Sequence, residues 1–141
     1  HIILRFELEQ ELLAGTVDLA ELPEIWNARM LDYLGIEPEN DRLGVLQDMH
    51  WAVGAIGYFS TYALGNVVSA QLWEKLNAEI PDLQAQFEQG EFGPLAAWLR
   101  EHLWRHGRKY LPNELLERIT GGGLDPEPYL RYLQGKYPLA H

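Results

Sequence analysis

Cysteine is absent from this sequence of 141 residues, which excludes disulfides, thiolate metal sites and cysteine nucleophiles. Positive charge is scarce: 11 Lys and Arg stand against 21 Asp and Glu, giving a formal net charge of −10. Binding to a nucleic-acid backbone depends on Lys and Arg displacing condensed counterions, so the balance argues against nucleic acid as a partner. The local basic cluster of Arg100, Arg105, His106, Arg108 and Lys109 reads as a solvated helix end, where cations complement the macrodipole. No run approaches the ~18 uninterrupted apolar residues of a membrane span. The opening residues show no signal-peptide pattern. The expected setting is a reducing compartment, with no membrane contact.

What the sequence has is apolar surface. Residues of this class make up 47%, five of them tryptophan. A chain of this size can bury about 70% of its unfolded surface, enough for a core in one domain or in one piece of a larger one. Helical punctuation recurs along it. "HIILRFELEQELLAG" carries Ile2, Ile3, Phe6, Leu12 and Leu13 among Glu7, Glu9 and Glu11, with Gly15 as its stop. "VDLAELPEIWNARMLDYLG" offers Asp18 as a cap, Pro23 in an early turn, then Ile25, Trp26, Met30, Leu31 and Leu34, ending at Gly35. "IPDLQAQFEQG", "GPLAAWLREHLWRHG" and "LPNELLERITG" share one grammar, proline near the start and glycine after the end. "DPEPYLRYLQGKY" gives a last short helix, and "TGGGLDPEP" the loosest connection. No strand alternation and no fixed-period repeat competes. The expected fold class is all-α, about six to eight helices forming one part of a larger helical fold. The first helix starts at His1 without a capping residue, as if entered midway, so the chain is expected to be a C-terminal fragment spanning residues 1–141.

One stretch stands out chemically. "GVLQDMHW", Gly44 to Trp51, sets Gln47, Asp48 and His50 beside a tryptophan, ahead of the glycine-broken "AVGAIGYFSTYALGN". Taken as one helix from Leu46 to Gly65 at ~100° per residue, His50, Gly54, Gly57, Thr61 and Gly65 form a narrow strip. Gln47, Trp51, Tyr58 and Tyr62 form its neighbour. Each interior glycine costs about 1 kcal/mol relative to alanine, so the strip needs a cause. Close helix packing is one, and periodicity alone favours it. Approach of a ligand whose anionic or carbonyl oxygen meets these polar groups is the other. On a regular helix Asp48 does not face His50 and is expected to anchor backbone or Trp51.

Other patterns carry less. "HLWRH", His102 to His106, has the histidine spacing of a zincin helix, but Leu103 stands where that motif needs its Glu, so a solvated pair is the simpler reading. "GGG" at 121–123 lacks the Lys-Ser or Lys-Thr of a phosphate loop and reads as a helix stop. Glu7/Glu11 and Asp125/Glu127 read as surface acids.

"GVLQDMHW" followed by "GYFSTYALGN" resembles the C-terminal part of the Taq-type thermostable zinc carboxypeptidases, with their Gly-x-x-Gln-Asp-x-His-Trp signature and the Gly-Tyr-Phe-x-Thr-Tyr and Leu-Gly-Asn that follow. "HIILRFELEQELLAG" and "LPEIWNARMLDYLGI" upstream, and "WLREHLWRHGRKY" and "YLRYLQGKY" downstream, extend the resemblance over essentially the whole chain. It implies an all-helical metallocarboxypeptidase that removes C-terminal residues from peptides, a cytoplasmic homodimer with its active site in a groove between helices. It further implies zinc held by a His-Glu-x-x-His helix and a distant Glu, none of which this sequence contains. Zinc is thus expected in the full-length enzyme and on no residue of this chain, which alone is expected to be inactive and to need the N-terminal portion as partner. By the same resemblance His50 and Tyr62 reach the substrate's terminal carboxylate or the tetrahedral oxyanion, Tyr58 and Trp51 help to bind substrate, and Gln47 and Asp48 hold His50 in orientation. The family's Ile-Arg-x-x-Ala-Asp signature is expected upstream of His1, so Arg5 is read as structural. Ser60 departs from the proline common at its position. The alternative from another class is a non-catalytic helical module for dimerisation or partner binding.

Overall fold

The glycines that end periodic runs in the sequence end helices in the structure. A computed structural model describes residues 1–138, and among these residues there are eight α-helices, two 3₁₀ turns and no strand. The expected all-α class therefore holds. The chain divides into two compact units, one of residues 1–63 and one from Leu64 onward.

In the first unit α1 spans Ile2–Ala14 and α2 spans Leu22–Leu34. Gly15 at φ 70° and Gly35 at φ 66° turn the chain after each. The Thr16 amide then returns to the Glu11 carbonyl at 3.0 Å, and Ile36 to Met30 at 3.3 Å, satisfying carbonyls that a helix end leaves open. Pro23 lies in the first turn of α2, where its missing N–H costs nothing. Asp18 does not cap α2; its carboxylate accepts the Ala20 amide at 2.9 Å in the preceding turn.

Leu4 and Leu8, one helical turn apart on α1, are fully buried against Trp26 and Met30 of α2 and against Val45. Such burial is worth about 1.5–3 kcal/mol per side chain. The apolar residues picked from the sequence of α1 lie largely elsewhere: Ile3, Phe6 and Leu13 are exposed. Apolar residues occur around much of α1, so periodicity did not single out the inward face. Glu7 and Glu11 are more than surface acids. Glu11 takes both oxygens to Arg29 of α2 at 2.6 and 2.8 Å, and Glu7 accepts the Tyr33 hydroxyl at 2.6 Å.

A 3₁₀ turn, Val45–Gln47, and the short helix α3, Met49–Ala52, follow. Gly44, which opens this stretch, is buried where a Cβ would stand 3.2 Å from Asn27 and Pro38, so a side chain there requires its neighbours to shift. Helix α4, Ser60–Glu79, starts in the first unit and runs on into the second.

The second unit adds α5, Leu83–Glu88, α6, Gly93–His102, a 3₁₀ turn at Trp104–His106, α7, Pro112–Thr120, and α8, Glu127–Lys136. Leu76, Ile80, Leu83, Trp98 and Ile119 form its core. "TGGGLDPEP" is held more firmly than its composition suggests. Gln71, buried on α4, donates to the Gly123 carbonyl at 3.0 Å and accepts the Asp125 amide at 3.1 Å.

Candidate functional site

The stretch from Leu46 to Gly65 is not one helix. Asp48 leaves the 3₁₀ turn in extended conformation and caps α3, its carboxylate accepting the Trp51 amide at 2.9 Å. Helix α3 ends after one turn, and Gly54 and Gly57 adopt φ 73° and 79° before α4 begins. Glycine reaches the left-handed region without the clash a Cβ brings, so these two residues break the helix that periodicity continued. The bare strip headed by His50 does not exist.

The break nonetheless brings the expected residues together. His50 on α3 sets its Nε2 3.0 Å from the Tyr62 hydroxyl on the first turn of α4. The Tyr58 ring stacks on the imidazole at 5.6 Å, and Phe59, 1% exposed, closes on it from below at 4.8 Å. Tyr58 and Tyr62 meet edge to face at 5.4 Å, and both remain exposed. A histidine and two phenols thus face solvent from a seat of buried aromatics.

Beneath them lies an ionic layer. Asp48, its side chain 1% exposed, places Oδ2 2.9 Å from Arg5 Nε and 3.8 Å from His50 Nδ1. The Arg5 contact is an ion pair by distance, but its angle is too poor for a directed hydrogen bond. Arg5 lies over the Trp26 and Phe59 rings at 5.3 and 5.8 Å, a cation–π seat. Burial lowers its pKa from the ordinary value and Asp48 opposes that shift, leaving the guanidinium charged. Arg5 thus contacts Asp48 and two rings of the first unit. At 3.8 Å the Asp48 carboxylate is beyond hydrogen-bond reach of Nδ1; with the proton on Nδ1, His50 Nε2 accepts from Tyr62, and a proton on Nε2 reverses that bond. With the proton on Nε2 the Tyr62 O–H is free to donate to an anionic oxygen arriving from solvent, so the pair offers one outward donor in that state.

Two expected members sit apart. Gln47 donates its amide to the Arg42 carbonyl and makes no hydrogen bond to His50 among the described residues. Trp51 turns inward, edge-on to Trp26 at 6.1 Å and to Phe59 at 5.9 Å. Its indole N–H donates to Glu9 Oε2 at 3.0 Å, and the ring is half-buried against the core of the first unit. Glu9, 5% exposed, was not singled out by sequence. It looks like Glu7 and Glu11 in the same helix, and its burial and its two partners on either side of the α3–α4 loop set it apart.

His102 and His106 do not share a helix. Helix α6 ends at His102, and Leu103 at φ −123° separates it from the following 3₁₀ turn. His102 packs on Trp98 at 4.5 Å and His106 on Tyr110 at 5.4 Å, both half-buried. Among the described residues no three His, Asp or Glu side chains are grouped to hold a metal ion. No helix among them is long and apolar enough to cross a membrane. In the second unit a cavity of about 700 Å³ is walled by Trp73, Tyr129 and Tyr132, with Arg131 bound to Glu74 at 2.9 Å. None of the residues singled out above lines it.

The family description that matches this chain, over residues 1–137, is that of the carboxypeptidase Taq (M32) metallopeptidases. The chain belongs to this family. Thermostable carboxypeptidase 1 of Pyrococcus furiosus is 44% identical over 137 residues, and carboxypeptidase 1 of Bacillus subtilis 42%. The crystal structure of the M32 carboxypeptidase from Deinococcus radiodurans R1 superposes with a TM-score of 0.89 at 47% identity over 97% of this chain. The chain spans 97% of itself in the Pyrococcus alignment but 28% of that relative's length, and likewise 28% of the Deinococcus chain. A metallopeptidase family implies a metal, and the described residues do not fit one. His50 Nε2 is engaged by Tyr62, with Asp48 on the far side of the ring, and no second histidine or carboxylate converges with it.

Proposed function

We propose that this chain is the C-terminal helical region of a zinc-dependent metallocarboxypeptidase that removes C-terminal residues from peptides. It supplies one wall of the substrate groove, and the zinc ligands belong to the rest of the protein. The observation that carries this reading is the 3.0 Å contact of His50 Nε2 with the Tyr62 hydroxyl, solvent-facing and seated on a buried arginine–aspartate pair. Preorganised donors of this kind stabilise charge developing on an oxygen because they need no reorganisation during reaction. His50 and Tyr62 contact the terminal carboxylate or the tetrahedral oxyanion, Tyr58 flanks them, Asp48 orients His50, and Trp51 supports from the core. The parent protein acts in the cytoplasm as a homodimer, as the resemblance implies.

The test is His50→Ala in the full-length protein, assayed on a peptide with a free C-terminal carboxylate. A fall in kcat/KM of about 10²–10³ is expected for loss of one such donor. An unchanged kcat/KM sinks the reading. The chain on its own should show neither peptidase activity nor stoichiometric zinc.

A second reading, a helical association module, draws on the exposure of Leu46 at 70%, Met49 at 68% and Val53 at 72% around α3. Apolar residues grouped in this way mark surfaces that another chain covers. Size-exclusion and scattering measurements decide it, since a clean monomer counts against self-association.

A further inference from the structure

We infer that Glu9 is a positioning residue, whose buried carboxylate fixes the loop between α3 and α4 and so holds His50, Tyr58 and Tyr62 in register. This rests on the reading of His50 and Tyr62 given above. Glu9 Oε2 accepts the Trp51 indole N–H at 3.0 Å, and Oε1 accepts the Gly57 amide at 2.7 Å. Trp51 is the residue after His50, and Gly57 the residue before Tyr58. A single carboxylate therefore ties down both segments that carry the stacked His50–Tyr58 pair, from a helix 42 and 48 residues away in sequence.

Besides the burial of Phe59, few contacts hold the loop. The Gly54 and Ala55 amides close back onto the Trp51 and His50 carbonyls at 3.1 and 2.8 Å, and the Thr61 amide onto Tyr58 at 3.0 Å. Among the described residues, Gly57 is the one member of residues 56–59 whose amide donates a hydrogen bond. Gly57 is also where the backbone turns left-handed, at φ 79°. Both donors reaching Glu9 are N–H groups, so the site needs a side chain that accepts twice. A carboxylate does so; an amide offers one oxygen and presents its own N–H₂ to the second donor. Charge-assisted bonds to a buried carboxylate are also the stronger kind. Glu9 makes no hydrogen bond to His50 or Tyr62 among the described residues, so it acts through the loop.

The experiment is Glu9→Gln in the full-length protein, alone and combined with His50→Ala, with kcat and KM measured separately. Hydrogen exchange of the segment holding residues 54–59 is followed by mass spectrometry. Glu9→Gln should speed exchange in that segment. It should lower kcat/KM about tenfold to a hundredfold, as small misplacements of a catalytic group do. The loss should fall on the same parameter, kcat or KM, that His50→Ala affects, and Glu9→Gln should cost less once His50 is gone than it does alone, because part of its effect runs through His50. A purely structural role predicts losses that multiply in the double variant, and that result overturns the proposal. Unchanged exchange overturns it as well. Should Glu9→Gln fail to fold, Trp51→Phe removes one of the two donors and is expected to show a weaker form of the same pattern. A silent His50→Ala sinks the reading of the pair, whereas a silent Glu9→Gln beside a crippling His50→Ala sinks this one.

Discussion

Asp48 accepts the Trp51 amide through one carboxylate oxygen and faces Arg5 through the other, at 2.9 Å in each case. One side chain thus starts α3 and neutralises a buried guanidinium beneath His50. Removing it by Asp48→Ala deletes a cap worth about 1 kcal/mol. It also strands Arg5, whose side chain is 14% exposed, and breaking a buried pair typically costs about 3–5 kcal/mol. Denaturant unfolding should show a loss of at least about 3 kcal/mol, larger than for any surface acid. Asp48→Ala within about 0.5 kcal/mol of the parent would mean that neither contact stabilises the fold.

The glycines of the broken stretch separate into two kinds. Gly57 needs its left-handed backbone at φ 79°, whereas Gly65 lies inside α4 with nothing within 4 Å of an added Cβ. Gly57→Ala should destabilise the chain by about 1–2 kcal/mol through backbone strain alone. Gly65→Ala should stabilise it by about 0.5–1 kcal/mol, because helix-interior glycine gives up more backbone entropy on folding. Thermal unfolding of the two variants should shift Tm in opposite directions. A drop in Tm for Gly65→Ala would show that another surface packs on that face of α4.

Why the sequence led to one long helix is visible in the same residues. Leu46 to Gly65 keeps a helical apolar pattern, and a glycine in such a pattern reads equally as an interior residue or as a left-handed stop. Backbone φ has no signature in residue type beyond that. Gly15, Gly35 and Gly121 were readable because polar segments follow them; Gly54 and Gly57 sit among apolar neighbours. His50, Tyr58 and Tyr62 were found through the resemblance of their spacing to a family signature, and the structure brings them together by a different route from the helical strip. Glu9 was hidden for another reason. Its neighbours Glu7 and Glu11 have the same side chain, and what distinguishes it is a pair of N–H donors brought in from elsewhere in the chain. Gln47 shows the reverse case, a signature residue whose amide serves the local backbone at Arg42.

Glu79 on α4 gives the second unit an acid-sensitive contact. A hydrogen bond from Lys75 and a second from the Trp98 indole hold its pKa below the ordinary 4.5. A carboxylate whose folded-state pKa is depressed contributes stability that is fully present above the unfolded value and is lost as pH falls through the folded one. The contribution is therefore intact at neutral pH and disappears progressively below about 4.5. Glu79 is largely open to solvent, so screening keeps the effect small. Glu79→Gln should lower Tm slightly at pH 7 and flatten the fall of Tm between about pH 4.5 and 3. Parallel curves for parent and variant across that window would exclude the contact as a source of acid sensitivity.

Tyr58 and Tyr62 present the same phenol in different surroundings. The Tyr62 hydroxyl meets His50 Nε2, while the Tyr58 hydroxyl has no hydrogen-bond partner among the described residues and its ring stacks on the imidazole. Tyr62→Phe removes one oxygen and keeps the edge-to-face contact with Tyr58, so folding should change by less than about 0.5 kcal/mol. In the full-length protein it should nonetheless cost about 10²-fold in kcat/KM, because a preorganised donor is lost and His50 is freed to reorient. Tyr58→Phe keeps the stacked ring and should stay within about threefold of the parent, since the lost hydroxyl is solvated in both states. Tyr58→Ala removes the ring that braces the imidazole and should fall between the two. If Tyr58→Phe proved the more damaging phenol loss, the hydroxyl that meets substrate would be that of Tyr58, and the Tyr62–His50 bond would serve only to hold the ring.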